Sequence, residues 1–82
     1  MVKLHQIGKT IFTVYINDHL PPHFHVVSPE FEALIEIETL NIYAGSLGKS
    51  RRVRRDVMAW ASANTAAIKA EWNRVNPRFP VK

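Results

Sequence analysis

The spacing of apolar residues changes character once along this chain, near residue 49, and that change restricts the fold more than any composition figure. Up to residue 38, apolar side chains alternate with polar ones, the period of a strand with one buried face. Beyond it, Val53, Val57, Trp60 or Ala61, Asn64, Ile68, Trp72 and Val75 recur every three or four residues, the period of a helix with an apolar stripe. Strands in one half and helix in the other predict an α+β domain. The expected architecture is an antiparallel meander of three or four strands with a C-terminal helical segment, one kinked helix or two, packed on one face.

Eighty-two residues make one domain with a small core. It divides into a meander over 1–38, a loop over 39–48, a helical segment over 49–76 and a tail over 77–82. Strands are expected at 2–7, 10–16, 23–28 and 31–38, with Gly8-Lys9 suited to a tight type II′ hairpin turn. The loop has room for a short extended piece at 41–43. Phe12, Val14, Ile16, Phe24, Val26, Phe31, Ala33, Ile35 and Ile37 fall on the side to be buried. Thr13, Tyr15, His23, His25, Glu32, Glu36 and Glu38 fall on the other, which places two imidazoles and three carboxylates on one open sheet face. A straight helix over 50–75 would run about 39 Å at 1.5 Å per residue, too long for a chain of this size. A break is therefore expected near Ser62-Ala63-Asn64, with Ser or Asn capping a second helix from Thr65. Asn76-Pro77 stops it, and Phe79 is positioned to pin the tail.

The chain has no cysteine, so disulfides and thiolate metal ligands are excluded and any metal must use histidine and carboxylate. No apolar run approaches the roughly 20 residues of a membrane span, and the first residues lack the regions of a secretory signal. A soluble cytoplasmic protein without membrane contact is the expectation.

Three of the four histidines lie in Asp18-His19-Leu20-Pro21-Pro22-His23-Phe24-His25. Leu20 and Pro21 each precede a proline, which disfavours helical backbone and makes a stiff spacer between His19 and His23. His23 and His25, two apart on a strand, point the same way about 6.6 Å apart along the backbone. Three chemistries fit. One is catalysis by His19, His23 and His25, with imidazoles exchanging protons with a ribose hydroxyl and a leaving oxygen on a phosphodiester, independent of metal. A second is a divalent ion such as zinc on Asp18, His23 and His25, completed by His19 or a facing Glu. The third is a polar turn leading into a strand, with no chemistry and no cofactor.

Charge is divided unevenly. Residues 1–48 carry two lysines against five acids (2 − 5 = −3), and residues 49–82 carry nine Lys and Arg against two acids (9 − 2 = +7). Lys49, Arg51, Arg52, Arg54 and Arg55 crowd the expected start of the helix, where cations oppose the helix dipole. Such a set suits a phosphate, RNA or an acidic partner surface; pairing with Asp56 or with strand carboxylates is the plainer use. No aromatic residue is interleaved with these cations, which argues against a sequence-specific reader of single strands. Trp60 and Trp72 lie on the core stripe, the strand glutamates suit a solvated face, and His5 stands alone.

The motif Asp18-His19-x-Pro21-Pro22-His23-x-His25-Val26, the strand ending in Glu36-Ile37, the Leu47-Gly48 turn, the basic helix and the Asn64, Ile68, Trp72 series together resemble the bacterial domain of unknown function 4160 family. The resemblance spans most of the chain and its Pro-Pro-His-x-His core is fairly specific. It implies one component, usually the toxin, of a two-gene toxin-antitoxin module, with a small antitoxin-like partner encoded nearby; the His cluster and the basic helix add the expectation of an action on RNA or the translation machinery. Asp18, His19, Pro21, Pro22, His23 and His25 are the motif positions it carries over. The Arg-dense helix start and the Asn-Pro-Arg-Phe-Pro tail depart from the usual pattern.

Overall fold

The computed structural model describes residues 1–82. Five strands, β1 (Val2–Ile7), β2 (Thr10–Val14), β3 (His23–Ser28), β4 (Phe31–Glu36) and β5 (Ile42–Gly45), form one antiparallel sheet in chain order. Two helices follow, α1 (Arg51–Ala63) and α2 (Thr65–Val75). The α+β architecture is as expected, with one more strand than the alternation indicated.

The hairpin turn at Gly8 carries a φ of +58°, and Lys9 keeps a negative φ, as a type II′ turn requires. Alternation identifies Phe12, Val14, Phe24, Val26, Ala33, Ile35 and Ile37 as core, and each is fully buried. They pack with Leu47 and with Val57, Ala61, Ile68 and Trp72 from the helices. Trp72 is fully enclosed and donates its indole N–H to the Phe79 carbonyl at 2.7 Å. Trp60 is half-buried, its ring 4.7 Å from that of Phe12 and stacked on His5 at 4.9 Å, so His5 is not isolated.

Four local expectations change. The strand expected over 10–16 stops at Val14, and Ile16 is 58% exposed instead of core. There Asn17 takes a φ of +55° and donates its N–H to the Val75 carbonyl, which turns the chain out of the sheet and onto the end of α2. The strand expected over 31–38 ends at Glu36, where Leu40, at a φ of +61°, donates its N–H to the Glu36 carbonyl and reverses the chain. The loop over 39–48 then contains a true edge strand, β5. Its short run between that reversal and Gly45 pairs with β4 across a register shift at Leu34/Ile35, which period-two counting cannot detect.

The helical break falls at Asn64, as anticipated, but the capping differs. Asn64 turns its amide to the Trp60 carbonyl at 2.8 Å and its backbone N–H to Ala61 at 3.2 Å, closing the end of α1 instead of capping α2. The longest dimension of the molecule is 35 Å, shorter than an unbroken helix of that span. The tail is held chiefly by Asn73, whose amide exchanges hydrogen bonds with the Val81 N–H (2.7 Å) and carbonyl (2.9 Å).

Gly45 is held at a φ of +74°, and a Cβ there would lie 2.1 Å from the Glu32 carbonyl oxygen, a backbone atom that cannot yield. Gly8 has the same handedness but open space around it. Gly8→Ala should therefore lower the unfolding free energy by about 1 kcal/mol from strain alone, whereas Gly45→Ala should cost at least about 3 kcal/mol because β5 must separate from β4. Urea unfolding of the two variants measures this, and equal losses would mean that the Gly45 approach is not tight.

Candidate metal centre

β2 ends where the motif begins, and the eight residues from Tyr15 to Pro22 fold back beside the first residues of β3. The anchor is Asn76, just past α2 and 2% exposed. Its Oδ1 accepts the Asp18 N–H at 2.7 Å and its Nδ2 donates to the Tyr15 carbonyl at 3.0 Å. The Ile37 N–H donates to Pro22 on the other side. The Leu20–Pro21 peptide between these ties is cis. So held, the segment points the Asp18 carboxylate at the imidazoles of β3.

Asp18 Oδ2 lies 2.9 Å from His23 Nε2 and 3.1 Å from His25 Nε2. The ligand atoms of these three residues all fall within 4.8 Å of one another. Rings and carboxylate converge as the spacing indicated, but the open face does not exist. The His23 side chain is 0% exposed, His25 8% and Asp18 11%, because the returning segment and the end of α2 cover them. Tyr15 stacks on His25 with ring centroids 4.2 Å apart, while Tyr43, Trp72 and His19 surround His23 at 5.4, 5.5 and 4.8 Å. Of the strand carboxylates, Glu32 reaches His25 Nδ1 at 3.5 Å. Glu36 stands opposite His23 in the ladder, and Glu38 lies beyond the strand.

His19 sits at the mouth, its side chain 64% exposed and its Nε2 3.6 Å from Asp18 Oδ1. Among the three imidazoles considered for proton transfer, only His19 offers substantial surface to a substrate. Lys49, Arg51, Arg52, Arg54 and Arg55 are all exposed and stand elsewhere. The first turn of α1, capped by the Ser50 hydroxyl, borders a shallow cavity of about 340 Å³ with Ile7 and Thr10 at the β1–β2 turn. The motif lies at the opposite strand ends, about 17 Å away along β3 at 3.3 Å per residue. Imidazoles and arginines therefore do not share one site. Asp56 pairs with two of these cations, 3.9 Å from Arg52 and 3.8 Å from Arg55, and Glu30 lines a second depression with Lys49.

Hydrogen bonding settles which nitrogen of His23 holds the proton. Nδ1 lies 2.7 Å from the Pro21 carbonyl, which can only accept, so Nδ1 is the N–H donor. A neutral ring then has only a lone pair at Nε2, and that nitrogen lies 2.9 Å from a carboxylate oxygen. Close as the contact is, Nε2 is buried without a hydrogen-bond partner. Two acceptors in contact call for a cation between them, a proton or a metal ion. Burial opposes the protonated ring and, despite the Pro21 carbonyl and the Asp18 charge, holds the His23 pKa below the ordinary histidine value. Burial also raises Asp18, but the His25 hydrogen bond, the His19 N–H and the neighbouring imidazoles outweigh it, so this carboxyl stays below its usual range. Burial, followed by the charges of Asp18 and Glu36, pushes the Tyr43 phenol upward.

A metal ion suits the donor set. Tetrahedral zinc with bonds near 2.0–2.2 Å separates its ligand atoms by roughly 3.3 Å. The two carboxylate–imidazole separations, 2.9 and 3.1 Å, are a few tenths shorter, and the set as a whole lies within 4.8 Å, so the rings would have to adjust around an ion. The Pro21 carbonyl on His23 Nδ1 leaves its Nε2 for an ion, whereas His25 Nε2 is hydrogen-bonded to Asp18 at 3.1 Å and would be released to an ion only with Nδ1 donating to Glu32, 3.5 Å away. Asn76 had no signal in the sequence beyond the Asn-Pro stop, because its partners lie 58 and 61 residues away.

Asn76→Ala should cost about 2–3 kcal/mol, since two buried backbone groups lose their partners, and chemical denaturation measures the loss. In the presence of a chelator, stability should fall with acidity. With the folded His23 pKa lowered, the unfolded chain binds more protons as pH drops through about 6.5. Asp18, lowered in the fold, adds a second loss at more acidic pH. Unfolding midpoints that stay flat from pH 8 to 5 would contradict a neutral, buried His23.

The comparisons with known proteins bear on the same stretch. A family model described as Domain of unknown function (DUF4160) matches residues 10–73, from β2 through most of α2 and including the whole motif. No curated protein and no solved structure matches the chain. A match over that share of the sequence, with Asp18, His23 and His25 inside it, is decisive for kinship: the chain belongs to the DUF4160 family.

Proposed function

We propose that this chain is a divalent-metal-binding domain, with zinc the best-suited ion, held by Asp18 Oδ2, His23 Nε2 and His25 Nε2. The reading rests on one observation above all, the buried Nε2 of His23, without a hydrogen-bond partner and 2.9 Å from a carboxylate oxygen. A polar turn with no chemistry does not need that arrangement, because a serine or asparagine at position 23 could satisfy its neighbours without it. Three protein ligands leave a fourth position to solvent, the coordination used where bound water is activated for hydrolysis.

Asp18→Asn separates fold from metal. The asparagine amide can donate to His23 Nε2, relieving the clash of acceptors, but it is a poor ligand. In chelator the variant should be at least as stable as the parent. With zinc at 100 times the dissociation constant, the parent should gain about 2.7 kcal/mol, and the variant nothing. Elemental analysis and thermal unfolding check both. Failure of the parent to take up stoichiometric zinc, cobalt, nickel or manganese would overturn the reading.

The toxin role implied by the family resemblance is a second reading, favoured by a separate observation. Five exposed cations at residues 49–55 have a single ion-pair partner, Asp56, so the start of α1 fits the acidic surface of a small antitoxin-like partner. Expression of the chain alone should arrest bacterial growth, and the product of the adjacent small gene should relieve it. Charge reversal at Arg51, Arg52 and Arg55 should weaken that pairing at least tenfold, about 1.4 kcal/mol. Unchanged binding by isothermal titration would remove α1 from the interface.

A further inference from the structure

His19 shares a pattern with the two buried imidazoles. Each of the three rings turns Nδ1 to an acceptor: His19 to the Leu20 carbonyl at 3.2 Å, His23 to Pro21 at 2.7 Å and His25 to Glu32 at 3.5 Å. Each turns Nε2 toward the one carboxylate of Asp18, at 3.6 Å from Oδ1 for His19 and at 2.9 and 3.1 Å from Oδ2 for the others. What differs is freedom. The backbone of His19 is tied to Asp18 Oδ1 through its N–H at 2.8 Å, whereas its side chain is 64% exposed and rests against His23 only by stacking, 4.8 Å between centroids.

We propose that His19 is a detachable fourth ligand of the centre. The inference rests on the metal reading and says how that site is regulated. With the ring turned in, the ion has three imidazoles and a carboxylate, a closed tetrahedral set. With the ring in solvent, the fourth position is open to water or to one oxygen of a small oxyanion. No other residue of the motif can play this part, since His23 and His25 are packed on all sides and Asp18 is clasped by Asn76.

Cobalt(II) reports the difference, because its visible spectrum depends on the number and type of ligands, and inorganic phosphate serves as the probe oxyanion. The full chain, His19→Ala and Asp18→Asn are compared after their folding in chelator is checked by circular dichroism. The parent should bind one cobalt and respond to phosphate weakly. His19→Ala should still bind one cobalt, with about tenfold lower affinity and a shifted spectrum, and phosphate should alter that spectrum at about one-tenth of the concentration the parent needs. A His19→Ala spectrum and phosphate response identical to the parent's would overturn the role of His19 while leaving the three-ligand centre standing, provided that Asp18→Asn abolishes binding. No cobalt uptake by the parent would overturn both.

Discussion

The grip of Asn76 on the segment after β2 is the contact on which the rest of the site depends. The carboxamide holds the Asp18 N–H and the Tyr15 carbonyl at once, and the Val75 carbonyl holds Asn17 beside it. Without this clasp, only the Asn17–Val75 and Ile37–Pro22 backbone hydrogen bonds and the Tyr15 stack would hold eight residues with two prolines over the start of β3. The meander would survive, since its ladders and the Trp72 core are built elsewhere. His23 and His25 would then lie on a wet sheet face with ordinary histidine chemistry. The helical half of the chain therefore does more than cover the core: it converts an exposed His-x-His pair into an enclosed one.

Enclosure changes what the same residues can do. In water, a carboxylate and two imidazoles satisfy themselves with solvent at little cost. At side-chain exposures of 11, 0 and 8%, each lone pair has to find a donor or a cation within the protein. The Pro21 carbonyl removes the simple solution for His23 by taking its N–H, and Glu32 competes for that of His25. Proton-transfer catalysis by this pair is disfavoured for the same reason, since a general base has to reach the proton it removes. Holding an ion needs no such reach. Burial strengthens that role, because an ion between these atoms would be little screened by solvent.

How far the sequence could be read follows from the range of the interactions involved. The buried positions of β2, β3 and β4 were legible because alternation is a property of neighbours two residues apart. The break at Asn64 was legible from length alone. Ile16 was misplaced because the exit of the chain toward α2 is a tertiary event. β5 shows in the sequence only as a short extended piece at 41–43, because four residues beside a bulge carry too little periodicity to mark a strand. At the site, spacing alone brought Asp18, His23 and His25 together on paper. Their burial could not be read, because the residue that produces it stands 58 positions away and looked like a helix stop.

The division of charge along the chain acquires a geometric meaning in the fold. Of the acids in the net −3 first half, Asp18 stands beside the imidazoles at the His23 end of β3, while Glu32, opposite Val27, lies toward the other end, where the arginines of α1 stand. Across that distance, about 17 Å against a Debye length of about 8 Å at physiological salt, exposed charges hardly sense one another. The cations therefore neither lower the affinity of the centre for a positive ion nor compete with that ion for Asp18. The partner proposed for α1 and the ion proposed for the motif would each meet its own electrostatics. Coupling between them would have to pass mechanically, through α1 and α2 to Trp72, Val75 and Asn76, which touch both the helical layer and the motif.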